Sequence, residues 1–360
     1  MSGTVMITTG GTGGHVFPGL AVGARLIAKG WRVFWLGTRE GMEAKLVPQH
    51  GVDFEAIGFA GVRGKGLRTL LLGPFALLAA SAQSLRIIRR RAPDVVLGLG
   101  GFASFPGALM GVACGKPLLI HDANATAGLA NRVLAYGANR ILLGFPDALR
   151  GTHAAKVEWV GNPIREDIAM LPPPQERFAG RTGPLRVLVL GGSLGAAVLN
   201  ECVPAALALL PAAERPLVTH QAGAKHIETL RATYAAAGVV AECLPFIDDM
   251  ARRYAEADLV VSRSGGLTVA ELAAAGVASL LVPLPGAIAD EQTHNARFLV
   301  EAGGAVLVPQ REFSPQLLAE LLGGSSRERL LAMAQAARRV ARTDATERVA
   351  DACISEARHP

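Results

Sequence analysis

The sequence predicts an α/β protein built from two tandem Rossmann-like domains, each around a parallel sheet. Two observations carry this expectation. Short β-branched runs alternate with longer Ala/Leu-rich stretches along the 360 residues, the pattern of strands joined by crossover helices. The pattern also starts twice: one strand runs into Gly10-Gly11-Thr12-Gly13-Gly14, and a second runs into Gly191-Gly192-Ser193-Leu194-Gly195-Ala196.

Taken in order, residues 5–9 form a strand that enters the first Gly-rich turn, and a helix follows from about Pro18. Residues 31–36 and 94–99 are further strands, with a crossover helix over 74–91 before the second of them. The second half opens with a strand over 185–190, its Gly-rich turn and another helix, and continues with strands over 218–220, 241–245, 259–262 and 279–283. The join is expected near Asn162-Pro163, ahead of the Pro-rich segment 171–184, because proline fixes φ and stiffens a connector. Domains are therefore expected over 1–162, joined by a last helix at about 343–360, and over 163–342. Ligands of such sheets bind at the carboxyl ends of the strands, so two sheet edges facing a central cleft would hold two substrates.

Composition narrows the function. Half of the residues are hydrophobic and only 5% are aromatic, which argues against a stacking surface for single-stranded nucleic acid. The four cysteines, Cys114, Cys202, Cys243 and Cys353, show no ligand spacing, so neither a zinc site nor a disulfide framework is expected. No apolar stretch reaches the length of a membrane span, and a strand so near Met1 leaves no room for a signal peptide; a cytosolic protein is expected. Residues 1–160 carry 17 Lys and Arg against 8 Asp and Glu, while the remainder carries 19 against 22. A first half this basic expects an anionic partner. Four arginines, Arg86, Arg89, Arg90 and Arg91, close the 74–91 helix, with Leu70-Leu71-Leu72 before it; apolar residues beside a basic cluster suit an anionic lipid surface. Phe75, Leu78 and Leu85 recur at helical spacing and are expected to pack on the sheet.

Gly-rich turns at helix starts expose backbone N–H groups to an anion. Besides residues 10–14 and 191–195, Gly98-Leu99-Gly100-Gly101 and Ser262-Arg263-Ser264-Gly265-Gly266 have this form, and together they point to phosphate or diphosphate binding. Val16 stands where a dinucleotide fingerprint needs its third glycine, and no P-loop pattern is present. No D-x-D pair offers a metal clamp, so the diphosphate is expected on helix N-termini without metal or cofactor.

Several motifs together carry a resemblance: GGTGGHVFPGLAV at 10–22, LGLGGFASFPG at 97–107, GNPIR at 161–165, GGSLGA at 191–196, FIDDM at 246–250 and SRSGGLTVAELAAAG at 262–276. In order and spacing the chain resembles the MurG family, UDP-N-acetylglucosamine transferases that make the second sugar linkage of the peptidoglycan lipid precursor. The resemblance implies a GT-B fold. It also implies an inverting, metal-independent transfer at the cytoplasmic face of the cell membrane, with UDP-N-acetylglucosamine on the second domain and undecaprenyl-linked muramyl-pentapeptide on the first. An anionic lipid surface and the cell-wall and division machinery are the further partners implied. One motif departs: the family shows His-Glu-Gln-Asn where this chain has His121-Asp122-Ala123-Asn124. Asn124 still matches a sugar-contacting position.

The site residues follow. His15 closes the first Gly-rich turn, beside the substrate-binding positions Thr12, Gly13 and Gly14. A histidine near a helix N-terminus has its charged form disfavoured and can act as a base near neutral pH; it could instead cap the helix or touch acceptor phosphate, and Asp122 is then the next candidate base. Arg165 offers a fork of donors for a uracil edge or a phosphate, and Ile247 matches a residue that meets uracil through its backbone. Ser193 suits a diphosphate oxygen or a plain N-cap. Gly266, Leu267, Thr268, Val269 and Ala270 lead to Glu271, which suits the ribose hydroxyls or a capping box with Thr268. Gln292 can donate to and accept from sugar hydroxyls. Two alternatives remain at this level: a UDP-N-acetylglucosamine 2-epimerase, and an NADP-dependent oxidoreductase with Arg39 meeting the 2′-phosphate.

Overall fold

The computed structural model describes residues 3–358 except 12, 60–65, 147, 150–153, 193–194 and 287–289, with the backbone alone for 66–72, 154 and 358. The chain divides into two compact units, Met1–Arg165 with Arg342–Pro360, and Glu166–Ala341.

The first unit holds β1 (Thr4–Thr8), β2 (Arg32–Thr38), β3 (Asp53–Ile57), β4 (Val95–Gly98), β5 (Leu118–Asp122), β6 (Arg140–Leu143) and β7 (Val157–Trp159). All pair in parallel in the order β3-β2-β1-β4-β5-β6-β7. The central strands are buried at every residue, because helices cover both faces, and buried parallel strands read as apolar runs. The second unit repeats the plan with β8 (Arg186–Leu190), β9 (Leu217–Gln221), β10 (Glu242–Leu244), β11 (Leu259–Ser262), β12 (Ala278–Leu281) and β13 (Ala305–Leu307), ordered β10-β9-β8-β11-β12-β13. Each sheet therefore has one switch point, between β1 and β4 and between β8 and β11, where successive crossovers leave in opposite directions.

The connection differs slightly from expectation. Residues up to Arg165 stay with the first unit, because Asn162 Nδ2 donates to the Ala123 carbonyl and Thr346 Oγ1 donates to that of Ile164. The last helix, Ala345–Arg358, packs on the Gly13–Ala28 helix and buries Val349, Ala350 and Cys353 completely. Arg25 and Lys29 pair with Glu347, and Lys29 also with Asp351, across that contact.

Two helices start earlier than their prolines suggested. The first begins at Gly13 and carries Pro18 inside; the crossover helix runs Gly66–Arg91 with Pro74 inside. Proline deletes one helical N–H, which these longer helices tolerate. Phe75 and Leu78 do not pack on the sheet as their spacing suggested: they are 70% and 68% exposed. Ala80, Ile87 and Ile88 form the buried side instead.

In the second unit the segment after the join is fastened by arginines. Arg177 donates through Nη1 to the carbonyls of Tyr254 and Ala255 and through Nη2 to those of Ala275 and Gly276. Those carbonyls close the helices Met250–Glu256 and Gly266–Ala275, so one guanidinium caps two negative helix ends. Burial, then the neighbouring charges of Arg181 and Arg338, push its pKa down to about 10. Replacing Arg177 by Met keeps the apolar stem but strands those carbonyls. The expected cost is on the order of 3 kcal/mol, read as an earlier urea transition of this unit; an unchanged midpoint would exclude the clamp.

Candidate active site

At the first switch point two Gly-rich turns touch. Gly101 has φ +77°, and a Cβ there would lie 2.4 Å from the Gly10 carbonyl oxygen, so only glycine allows the approach. Thr9 Oγ1 donates to the Gly100 carbonyl at 2.9 Å, and Trp35 Nε1 donates to that of Thr9 at 3.0 Å.

Beneath the turn lies a residue that the sequence reading did not single out. Glu43 is fully buried. Its Oε1 accepts from Thr38 N at 3.0 Å and Thr38 Oγ1 at 2.7 Å, and its Oε2 accepts from Gly11 N at 3.2 Å. The Gly11 N–H is thus spent on holding the turn, and the helix that starts at Gly13 and Gly14 carries no acidic side chain in its first turn. Thr12 lies outside the described residues.

His15 is the third residue of that helix and is half-buried. Its Nδ1 stands 3.1 Å from the Leu99 carbonyl oxygen. A carbonyl only accepts, so Nδ1 carries the proton and Nε2 presents a lone pair. Burial lowers the His15 pKa below the ordinary imidazole value, against the opposing pull of Asp122 and the Leu99 carbonyl. The ring is a neutral base at neutral pH.

Asp122 has a different commitment. Its Oδ1 accepts from Asn124 N at 3.1 Å; its Oδ2 accepts from Gly128 N at 3.1 Å and from Asn131 Nδ2 at 2.9 Å. A carboxylate that accepts from three donors braces the loop that presents Asn124. The neighbouring His121 is buried, and its Nε2 donates to the Gly161 carbonyl at 2.9 Å. The end of β5 is thereby tied to the segment leading to Arg165, where the chain first leaves this unit.

At the second switch point, the turn after β8 leads into the helix Ala197–Leu209, whose N-cap, Ala196, gives no side-chain bond. Gly195 has φ +78°, and a Cβ there would lie 2.4 Å from the Ala222 carbonyl oxygen. Ser193 lies outside the described residues. After β11, the helix Gly266–Ala275 begins from Gly265, again with no side-chain cap and no acid in its first turn. By contrast, Ser314 and Ser326 cap the helices Pro315–Gly323 and Arg327–Arg339. Neither start beside the switch point takes a side-chain cap, and a helix N-terminus favours an anion through its dipole.

Gly266, Leu267, Thr268, Val269 and Ala270 form the opening of the Gly266–Ala275 helix, and Glu271 stands in its second turn, 7% exposed. With Gly265 as N-cap, Thr268 is already the third helical residue, so the capping-box alternative for Glu271 is excluded. Gln292 is drawn to the same turn: its carbonyl accepts from Ser264 Oγ at 2.8 Å, and Asn295 Nδ2 donates to the Ser264 carbonyl at 3.1 Å. Gln292 Oε1 accepts from Leu284 N at 3.0 Å, which leaves its Nε2 to donate. Ile247 is buried in the loop between β10 and the Met250–Glu256 helix.

The comparisons with known proteins follow the same division. The glycosyltransferase family 28 N-terminal domain matches residues 5–143, and the family 28 C-terminal domain matches residues 186–350. The chain is 58% identical over 358 residues to a UDP-N-acetylglucosamine--N-acetylmuramyl-(pentapeptide) pyrophosphoryl-undecaprenol N-acetylglucosamine transferase of Ralstonia nicotianae, covering 99% of this chain and 97% of that one. The crystal structure of MurG from Acinetobacter baumannii matches with a TM-score of 0.83 and 37% identity, over 98% of this chain and 99% of that one. The chain belongs to the MurG family. A Burkholderia thailandensis relative with the same transferase name is 58% identical over 98% of this chain and 96% of its own. Membership of the MurG family makes this a UDP-N-acetylglucosamine-dependent glycosyltransferase of the GT-B fold, and neither the epimerase nor the oxidoreductase is favoured.

Glu43 gives this site its first test. In Glu43→Gln one acceptor oxygen becomes an NH2 group facing a backbone N–H. The expected loss is about 1–3 kcal/mol, seen as a lower melting temperature together with weaker transfer activity. Wild-type stability in Glu43→Gln would remove the brace.

Proposed function

We propose that this chain transfers N-acetylglucosamine from UDP-N-acetylglucosamine to the 4-hydroxyl of the muramyl sugar of undecaprenyl-pyrophosphoryl-MurNAc-pentapeptide, with inversion at the anomeric carbon. One observation carries the reading: a protein 58% identical from end to end is named for this transfer. The geometry supplies parts that such a transfer needs. The acceptor oxygen attacks the anomeric carbon while the bond to the β-phosphate oxygen breaks. The proton passes to His15 Nε2 and the electron pair to the departing diphosphate. Uncapped helix N-termini in the second unit stabilise the charge that develops on that leaving group. Ser193 adds a hydroxyl there, Arg165 and the Ile247 backbone meet the uracil, Glu271 takes the ribose, and Gln292 donates to the sugar. Thr12, Gly13, Gly14 and Asn124 hold the acceptor.

The test is transfer of radiolabelled sugar from UDP-N-acetylglucosamine to the lipid-linked acceptor, run with two variants. Glu271 touches a part of the donor that does not react, so Glu271→Ala chiefly raises donor KM. His15 moves a proton only as the new bond forms, so His15→Ala lowers kcat by roughly 10²–10⁴-fold with donor KM little changed. The lowered His15 pKa sets the sign of the pH dependence. The base is lost as pH falls, giving kcat an acid limb with an apparent pKa below about 6.5. If His15→Ala raised acceptor KM at nearly normal kcat, His15 would be a binding residue only.

The proposal includes docking on the anionic cytoplasmic face of the cell membrane, where the acceptor lipid and the machinery of wall growth and division are found. No helix among the described residues is long and apolar enough to cross a membrane. What supports docking is one face of the Gly66–Arg91 helix. At about 100° per residue, Phe75, Leu78, Ala79, Ala82, Arg86 and Arg89 fall on one side, and all six are exposed. The face is apolar toward its start and basic toward its end. Not all four arginines belong to it: Arg90 pairs with Glu55, and Arg91 with Glu55 and Asp53. Neither Arg86 nor Arg89 makes an ion pair among the described residues. Converting Arg86 and Arg89 to Gln should weaken sedimentation with phosphatidylglycerol vesicles, and Arg90→Gln should do so much less. Equal losses from all three, or none, would count against this face.

A further inference from the structure

We infer that Tyr254 is a positioning residue for the donor nucleotide, acting through Glu271. Tyr254 lies on the Met250–Glu256 helix, directly after the segment that carries Ile247, and is 1% exposed. Its hydroxyl donates to Glu271 Oε2 at 3.2 Å. The two residues sit on different helices that pack against one another, and Arg177 fixes the far ends of both by bridging Tyr254 and Ala255 to Ala275 and Gly276. The helix following the base-contact loop is therefore joined to the ribose-contact helix twice, once by a guanidinium and once by a phenol.

The phenol acts on chemistry as well as on packing. A glutamate on a helix has three rotatable side-chain torsions, and ordering them on ligand binding costs affinity. Tyr254 supports one orientation of the carboxylate before the nucleotide arrives and saturates one lone pair of Oε2. A carboxylate oxygen has more than one lone pair, so this bond does not by itself prevent Glu271 from accepting from the ribose. Because the donor is fixed by protein and not by ligand, Glu271 meets the ribose with its acceptors already aimed.

This inference rests on the reading of Glu271 as the ribose ligand, and the test separates the two. UDP and 2′-deoxy-UDP are titrated calorimetrically into wild type, Tyr254→Phe, Glu271→Ala and the double variant. Tyr254→Phe removes only the hydroxyl. Its Kd for UDP should rise about threefold to tenfold, its preference for UDP over 2′-deoxy-UDP should narrow, and its activity loss should fall on donor KM more than on kcat. In the Glu271→Ala background the same change should add almost nothing, because the two effects pass through one carboxylate. Two results would overturn the role of Tyr254: an unaltered UDP to 2′-deoxy-UDP ratio in Tyr254→Phe, whatever its melting temperature, or an equal loss with and without Glu271. Failure of the underlying reading looks different, since Glu271→Ala would then itself bind UDP normally.

Discussion

All strands in both sheets run parallel, and a parallel pair cannot be closed by a tight hairpin. Each strand must be followed by a crossover long enough to return the chain to its starting edge, usually a helix. Because the strands are parallel, their carboxyl ends all lie at one edge of each sheet. This constraint organises the molecule. It places Gly10, Leu99 and Asp122 at one edge of the first sheet, and residues 191 and 263 at one edge of the second. The switch points between β1 and β4 and between β8 and β11 then bring two Gly-rich turns side by side in each unit.

Turns of that kind hold an anion only if their backbone is held still. In this protein the holding is done by buried polar side chains beneath and beside the turns. Glu43 supports the turn after β1, Asp122 the loop after β5, and Ser264 links the turn after β11 to the helix carrying Gln292. Each buried polar group has its own hydrogen-bonding demand, which the turn satisfies. The support is thus mutual: the brace is stable because of the turn, and the turn is ordered because of the brace. His15 shows the chemical consequence. The Leu99 carbonyl that fixes its ring also chooses its tautomer, leaving the lone pair on Nε2.

Much of the fold was legible in the sequence. The two Gly-rich turns, the β-branched runs and the restart of the pattern all report local properties: which stretches bury apolar side chains and where the backbone must bend sharply. The helices start at Gly13 and Gly66, ahead of Pro18 and Pro74, because proline weakens a helix without stopping it when the flanking turns are long. Phe75 and Leu78 face solvent although their spacing is helical, because helical spacing marks a shared face without saying whether that face meets the sheet or solvent.

The sequence by itself therefore determined the parallel α/β plan, the positions of the Gly-rich turns and, through its motifs, the transferase family. Only the tertiary structure decided which polar groups are spent on architecture and which remain for chemistry. Glu43 and Gly11 are 32 residues apart and Tyr254 and Glu271 are 17 apart, and no local pattern marks either pair. Asp122 became a brace, Arg90 and Arg91 became ion-pair partners, and Gln292 Oε1 took a bond from Leu284 N. The reason is physical. Periodicity and composition follow from neighbours along the chain, whereas a hydrogen bond depends on where distant elements meet once the sheet has assembled.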